Sequence, residues 1–578
     1  MTDCLFIGHN DGSFAEYVSL VKAMGPEAFP WRRLNMACVD IDGVPYRSMD
    51  VLNLYNDRDG LLRPRLNNLD TFSPTIAYLV SYVTRRGFSA DYVNLFQDEK
   101  DALARTLQRD HVLAVAISTT LYIGTWWIDE VITFVRQHNP LATIIVGGPY
   151  LQNQSVISTP AELAGLMDDL GADIYVINRE GEYALTQVLD ALKHDRPLDA
   201  IDNIAYRRNG GYVRTATTVE ANPLAENIVD YSLFPRDRIG EFASIRTAKS
   251  CPFACAFCSF PQQAGKYVYE GVDTVEAELD RLRRVGTITS LTFIDDTLNV
   301  PLGRFKEILR MMIRNDYGFR WNSFLRADHV DDECIALMKQ SGCEGVFLGV
   351  ESGSDAMLKR MNKTSRSAHY RRVIPQLRDA GILTHCSLIV GFPGETRDTV
   401  QETVDLVEET RPDTYRAQLW YCDPTTPIWQ RRADIGLEGS LFDWRHPTMD
   451  AAEAADIVED VFLTIENSIW LPQHAFESRS LFYLQRKGMP LDQLKTFLRC
   501  FNEAVRFKLR HPHADAIDPS LLRALAESSR FDGADVEAAP GLSAVRPTEG
   551  ATPVASASRR RASSTAAARG TRTAPRSA

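Results

Sequence analysis

The feature that most constrains this chain is an alternation. Short apolar runs at residues 3–10, 91–96, 112–118, 142–148 and 172–177 are separated by stretches with helical spacing. Strands that alternate with helices predict a parallel sheet covered by helices on both faces, a doubly wound α/β arrangement. Such sheets bind ligands beyond the carboxyl ends of their strands. A second alternation starts near residue 241, with strands expected at 242–247, 290–294, 320–325, 345–350, 385–390 and 415–421. These make six β/α units, whose functional residues are again expected at the carboxyl ends.

The pattern divides the chain. Residues 1–204 read as the first α/β domain and 205–240 as a connector. Residues 241–430 read as the second α/β domain, 431–532 as a helical C-terminal domain and 533–578 as a disordered tail. Within the first domain, 11–60 carry no clear period and read as irregular, and Ser73-Pro74 opens a helix. Asp450 and Glu453 form a capping box ahead of an amphipathic helix. The tail turns to Ala, Ser, Thr, Pro and Arg, a composition that cannot bury a core.

Bulk properties narrow the function. At roughly 100–200 residues per domain, 578 residues suit three or four domains. Hydrophobic content of 44% and charged content of 24% are ordinary for a soluble protein. A formal net charge of -12 argues against a nucleic-acid binder. No apolar run approaches about 18 residues, so no membrane span is expected. The opening Met-Thr-Asp-Cys lacks the basic start of a signal peptide.

Three cysteines fall within Cys251-Pro-Phe-Ala-Cys255-Ala-Phe-Cys258, spaced C-x3-C-x2-C. Thiolates are the usual protein ligands of iron–sulfur clusters. Zinc is the alternative, but it normally takes four ligands, and the next cysteine is Cys334. An odd local count cannot pair into disulfides. The other cysteines are scattered and make no disulfide framework. A cluster loop of this kind needs a reducing compartment, so a cytoplasmic protein is expected.

Polar and small residues gather at the expected strand ends. In the first domain these are Ser118, Thr119, Gly147, Gly148, Glu180 and Gly181. In the second they are Asp295, Asp296, Arg326, Glu351, Ser352 and Gly391. Each has a plainer reading. The glycines and hydroxyls serve turns, Asp295 and Asp296 cap a helix, and Arg326 pairs with Asp328 or Asp331. No G-x-G-x-x-G occurs, which disfavours a nicotinamide site. No D-x-H-x-x-G occurs either, and His9 and His111 fall outside any such motif.

The cysteine octapeptide, with Phe257 before its last cysteine, resembles the cluster loop of radical SAM enzymes. The resemblance implies a [4Fe–4S] cluster, with one iron left open for S-adenosylmethionine (SAM), and a partial TIM-type (β/α)6 barrel. The β/α units before it resemble the cobalamin-binding domain that precedes many radical SAM domains. Together the order resembles that of class B, cobalamin-dependent radical SAM methyltransferases, over roughly residues 1–430.

By that resemblance Cys251, Cys255 and Cys258 hold the cluster and Phe257 lies in the SAM-facing loop. Arg326 meets the SAM carboxylate, Glu351 or Ser352 the ribose, and the segment around Gly391 the adenine. Ser118, Thr119, Gly147, Gly148, Glu180 and Gly181 would line cobalamin, with no histidine on cobalt. Two subgroups look most similar, the thiostrepton-type tryptophan 2-C-methyltransferase and the phosphinate P-methyltransferase of peptide antibiotics. Both imply natural-product biosynthesis. The first implies a methyl group moved from SAM through methylcobalamin to C2 of tryptophan, with P-methylation of a phosphinate as the alternative.

The tryptophan subgroup also implies an arginine over the lower cobalt face, Arg65 with Arg63 as rival, and a carboxylate, Glu270, near the open iron. The plainer readings are surface arginines and an acidic first helical turn. The implied partners are a small-molecule substrate and an electron donor of flavodoxin or ferredoxin type. A radical SAM enzyme that does not methylate, or a cobalamin sensor, are the remaining function classes.

Overall fold

The computed structural model describes residues 2–531, apart from 62–64, 70, 110, 121, 123 and 475. The expected tail, 533–578, lies outside the described residues, as does Arg63.

The chain starts with β1 (Thr2–His9), in which six consecutive residues are buried. Such a run suits a central parallel strand covered on both faces. Cys4 and Phe6 face one core, Leu5 and Ile7 the other, because successive side chains point to opposite faces.

The stretch 11–60, expected to be irregular, is ordered. It holds the helix Phe14–Ala23, the helix Phe29–Asn35, the hairpin of β2 (Cys38–Ile41) with β3 (Val44–Arg47), and the helix Ser48–Asp59. Ser13 Oγ caps the first helix on Glu16 N. Asp42 and Gly43, both at positive φ, make the hairpin turn. The last helix ends at Gly60 in the left-handed conformation.

Strands β4 (Ala90–Leu95), β5 (Val112–Ser118), β6 (Thr143–Gly147) and β7 (Ile174–Val176) complete the parallel part of the first sheet. The expected connector begins differently. Strands β8 (Ile204–Arg208) and β9 (Gly211–Arg214) form a hairpin that adds antiparallel to β7, giving the order β4-β1-β5-β6-β7-β8-β9. The hairpin covers an edge that would otherwise expose unpaired backbone groups.

The second sheet begins with β10 (Phe242–Ile245). A two-stranded clasp follows, β11 (Ala248–Lys249) paired antiparallel with β12 (Val268–Tyr269). The sheet continues with β13 (Ser290–Phe293), β14 (Arg320–Leu325), β15 (Cys343–Glu351), β16 (Leu383–Val390) and β17 (Thr414–Leu419), all parallel. The region after 430 is mainly helical but not wholly so. Strands β18 (Glu438–Ser440), β19 (Asp443–His446) and β20 (Met449–Asp450) form a small antiparallel sheet. Strand β21 (Ile469–Trp470) adds to β17 as a seventh parallel strand. Helices Ala451–Thr464, Ser478–Arg486, Leu491–Arg510 and Pro519–Ser529 follow the pattern expected of an amphipathic cover. No described helix is long and apolar enough to cross a membrane.

Candidate active site

The cluster loop leaves the clasp strand β11 and returns through β12, so residues 250–267 are closed at their base. Ser250 Oγ donates to Gly265 O at 2.7 Å and Cys258 N to Cys255 O at 3.1 Å. The loop is also tied outward. Ala256 N donates to Met361 O, Ile428 N to Ala256 O, and Asn362 Nδ2 to Ala254 O. All three cysteines are free thiols.

The thiols are neighbours, since Cys258 feels the charges of both Cys255 and Cys251. Burial pushes the Cys258 thiol up to about 11 and raises Cys251 as well. Buried thiols crowded together favour a cationic centre that would hold them as thiolates. Among the described residues no three His, Cys, Asp or Glu side chains converge as a single ion requires. Zinc normally takes four ligands, whereas a four-iron cluster can be held by three cysteines, so the three thiols fit a cluster better than zinc.

Arg326 follows β14. Its guanidinium bonds Asp328 at 3.0 and 3.2 Å and Thr364 Oγ1 at 2.6 Å. Burial alone would raise the Asp328 carboxyl; Arg326 and Thr364 instead hold it well below the usual range. The pairing with Asp328 that the sequence offered as the plainer reading is present, and the guanidinium also lies over the Phe253 ring.

Glu351 sits at positive φ, after an irregularity in the β15–β16 register. Its carboxylate folds back over Gly349, where a Cβ would come within 2.5 Å of Oε1. Lys363 Nζ donates to it at 3.0 Å, and both side chains are buried. Glu351 holds the Lys363 ammonium well above the ordinary lysine range, although burial opposes this. Lys363 lies 5.9 Å from the Phe257 ring centroid, so the pair reaches the cluster loop. The sequence carries no signal for Lys363.

Other expected residues are engaged internally. Ser352 Oγ is buried, 3.2 Å from Thr403 Oγ1, and accepts from Ser354 N. Gly391, at positive φ, lies under Trp444, whose ring would meet a Cβ at 2.5 Å. Its N–H bonds the Glu395 carboxyl and its carbonyl lies 3.1 Å from His446 Nε2. The glycine is thus required by packing against Trp444.

Asp295 is buried and accepts from Thr247 N, Thr247 Oγ1 and Ala248 N, pinning the end of β10 to β13. Asp296 keeps accessible surface and acts on both Cys251 and Cys258. Glu270 closes the clasp. Its N–H bonds Thr247 O and its carbonyl accepts from Arg304 Nε. Its charge is felt by Arg304 and Glu278.

At the ligand edge of the first sheet, Thr119 is buried and donates to Gly147 O through both N and Oγ1. A Cβ on Gly148 would meet Thr119 Oγ1 at 2.9 Å, and one on Gly181 would meet Val176 at 2.4 Å. Gly147 is similarly close to Val176. The three strand ends therefore close on one another as a tight edge, with Thr119 or Val176 where the Cβ of each glycine would be. The hydroxyls of Ser118 and Thr120, 2.9 Å apart, and the unpartnered Oε2 of Glu180 stand at its margin. A flat edge of glycine strand ends with polar groups at its margin fits a broad planar macrocycle. Arg65 is open, with 67% of its side chain exposed and Asp50 3.8 Å away. His111 precedes β5 at the amino edge, whereas His9 ends β1 at the ligand edge.

The two ligand edges meet. Glu180, after β7, forms an ion pair with Lys249 of the clasp.

Residues 245–407 match the model of the radical SAM superfamily. An uncharacterised methyltransferase of Pyrococcus horikoshii is 27% identical over 410 residues, 69% of this chain and 84% of that protein. Two solved structures share the fold. The radical SAM methyltransferase TsrM of Kitasatospora setae, with cobalamin and a [4Fe–4S] cluster bound, is 18% identical at a TM-score of 0.53, covering 75% of this chain and 78% of its own. The cobalamin-dependent radical enzyme OxsB, with aqua-cobalamin and SAM bound, is 16% identical at 0.55, covering 80% and 73%. Residues 245–407 are a radical SAM domain, and it stands behind a parallel α/β sheet in the fold that the chain shares with these cobalamin-dependent radical SAM proteins.

Proposed function

We propose that the protein is a cobalamin-dependent radical SAM methyltransferase acting on a small molecule, with C2 of tryptophan as the leading acceptor. The Glu180–Lys249 ion pair carries this reading, because it joins the glycine edge of one sheet to the cysteine clasp of the other. A single substrate cavity can then face both. The methyltransferase name of the Pyrococcus relative supports the class. The tryptophan bound in another TsrM structure, 19% identical to this chain at a TM-score of 0.52, supports the acceptor.

Bound here, the cluster and SAM would supply the methyl group and redox chemistry, and cobalamin the methyl relay, that no amino-acid side chain provides. Cys251, Cys255 and Cys258 would hold the cluster. Arg326 would give its remaining donor capacity to the SAM carboxylate, while Asp328 fixes the plane of the fork. Glu351, held by Lys363, presents a fixed acceptor to the ribose hydroxyls. Phe253 and Phe257, both half-buried, would shield the cluster side of the loop from water. The glycine edge, Ser118 and Glu180 would seat the corrin and its amides. The reductant would be a flavodoxin- or ferredoxin-type donor, and the setting antibiotic biosynthesis in the cytoplasm.

The test is anaerobic incubation of the reconstituted protein with methyl-labelled SAM and tryptophan, read by mass spectrometry. Labelled 2-methyltryptophan is expected. Protein that retains no cobalt and yields 5′-deoxyadenosine without any labelled product would instead identify a non-methylating radical SAM enzyme.

A further inference from the structure

A second polar cluster lies between the loop after β1, the helices at 14–35, strand β17 and the segment after β21. Arg416, on β17, spends its guanidinium on backbone carbonyls. Nε donates to Leu471 O at 3.1 Å, and Nη2 to Pro472 O at 2.6 Å and Phe476 O at 2.9 Å. Arg33 reaches the same segment from the other side and bonds Gln473 Oε1. Neither arginine has an ion pair among the described residues. Each nevertheless lies deep enough for burial to lower it, Arg416 to about 10.

Between them sits His474. It adopts a left-handed φ of 61°, packs against Tyr17 with the rings tilted by 50° and their centroids 5.4 Å apart, and has a buried Nε2 with no partner. Strain in a residue that is neither Gly nor Asn is kept where the surroundings demand it. Burial, then Arg33, Arg47 and Arg416, push the imidazole down to about 3, so it is neutral. Across the cluster, His9 Nδ1 is also buried and unpartnered. Asp11 and Glu477 keep exposed surface, yet burial is the largest influence on each.

Guanidinium cannot shed its proton; Arg33 and Arg416 are half-buried, and Glu477, the carboxylate that acts on Arg416, is itself ion-paired with Arg479. Two such groups and an orphaned imidazole nitrogen converge where an anion would complete all three. We propose that Arg33, Arg416 and His474 form the subsite for the anionic group of the methyl acceptor. This rests on the methyltransferase reading above. The ligand class is a small carboxylate or phosphinate, and Asp11, with no ion pair among the described residues, suits a cationic amine on the same molecule. The acceptor is then a zwitterion rather than an apolar or macromolecular substrate.

The test uses the reconstituted full chain, its Arg33→Gln and Arg33→Lys variants, and Arg416→Lys. Sulfate is the first probe. Thermal melting is compared in sodium sulfate and sodium chloride at equal ionic strength. The parent should gain stability in sulfate beyond Arg33→Gln, with Arg33→Lys between them. The second arm measures turnover of L-tryptophan, of tryptamine, which lacks the carboxylate, and of an aminoalkylphosphinate. Arg33→Gln should raise KM for the anionic acceptor roughly 10- to 100-fold, as loss of a charged hydrogen bond does, with a much smaller change in kcat and none in tryptamine use. The third arm measures bound cobalamin, which should be unchanged. Sulfate stabilisation that follows Arg33 without any product would sustain the anion site and sink the methyltransferase reading. Equal sulfate response and equal KM in parent and Arg33→Gln would overturn the site even if product forms. Loss of cobalamin at unchanged KM would assign the arginines to the cofactor's phosphodiester and also overturn it.

Discussion

The Arg326 guanidinium lies 3.6 Å from the centroid of the Phe253 ring, two residues after Cys251. The contact couples the end of β14 to the cysteine loop. A cation over an aromatic face contributes about 0.5–2 kcal/mol, less than the buried ion pair with Asp328 that holds the same guanidinium. Arg326→Gln should therefore cost about 3–5 kcal/mol, the penalty for stranding a buried carboxylate. The double change with Asp328→Asn should recover part of that loss. Urea denaturation of the set measures both. Phe253→Leu should cost less in stability but weaken SAM binding, read by equilibrium dialysis.

The Lys363–Glu351 pair makes a second case. Lys363→Met leaves Glu351 buried and alone, and should destabilise by about 3–5 kcal/mol. Glu351→Gln with Lys363→Met should fall below the sum of the singles. If the two changes add, the pair carries no coupling and Glu351 is not held by Lys363.

Glu395 gives a pH signature. Burial pushes its carboxyl up to about 8, opposed by the N–H groups of Gly391 and Phe392. Between about 4.3, the unfolded value, and 8 the folded chain binds a proton that the unfolded chain does not. That contribution is full below the window and is lost as pH rises through it. Glu395→Gln should flatten the fall of stability with pH across that range, by at most roughly 5 kcal/mol. Denaturant midpoints at pH 5 and pH 8 test it, and an unchanged slope would mean that Glu395 is ionised in the fold.

Two carboxylates compete for influence on the cluster. Asp296 acts on Cys251 and Cys258, whereas Glu270 acts on Arg304 and Glu278. Asp296→Asn should alter the visible spectrum of the reconstituted cluster and Glu270→Ala should leave it as it is. A spectral change in Glu270→Ala alone would return that residue to the iron. Replacing Cys251, Cys255 and Cys258 together with Ala should remove the bound iron and the absorption while leaving the far-ultraviolet circular dichroism intact.

The parallel strands β1, β4–β7, β10 and β13–β17 were readable as strand-like runs between helices, whereas β8, β9 and β21 were not. Nor was the stretch 11–60. Its helix Ser48–Asp59 is polar through Asn53, Asn56 and Asp57, and is held from far along the chain. Asn56 bonds Ser529 O at 2.8 Å and accepts from Phe531 N. No local pattern reports a partner more than 470 residues away. The β8–β9 hairpin lies in the stretch expected as a connector, although Asn209-Gly210, both at positive φ as its turn requires, is the signal that could have found it.

In the site, motif spacing located the cysteines, and strand-end position located Arg326 and Glu351. It did not locate Lys363, which meets Glu351 only once β15 and the following helix fold back. Gly391 was conspicuous for a reason the sequence does not display, the Trp444 ring above it.

The β11–β12 clasp bears on maturation. Backbone bonds fasten residues 250–267 at their base, and ties to Met361 and Ile428 hold the loop from outside. Much of the entropy of ordering the loop that carries the three thiols is therefore spent during folding rather than at metal insertion. A scaffold delivering iron and sulfide would meet a finished socket, so loading can follow synthesis and be repeated after oxidative loss without unfolding the chain.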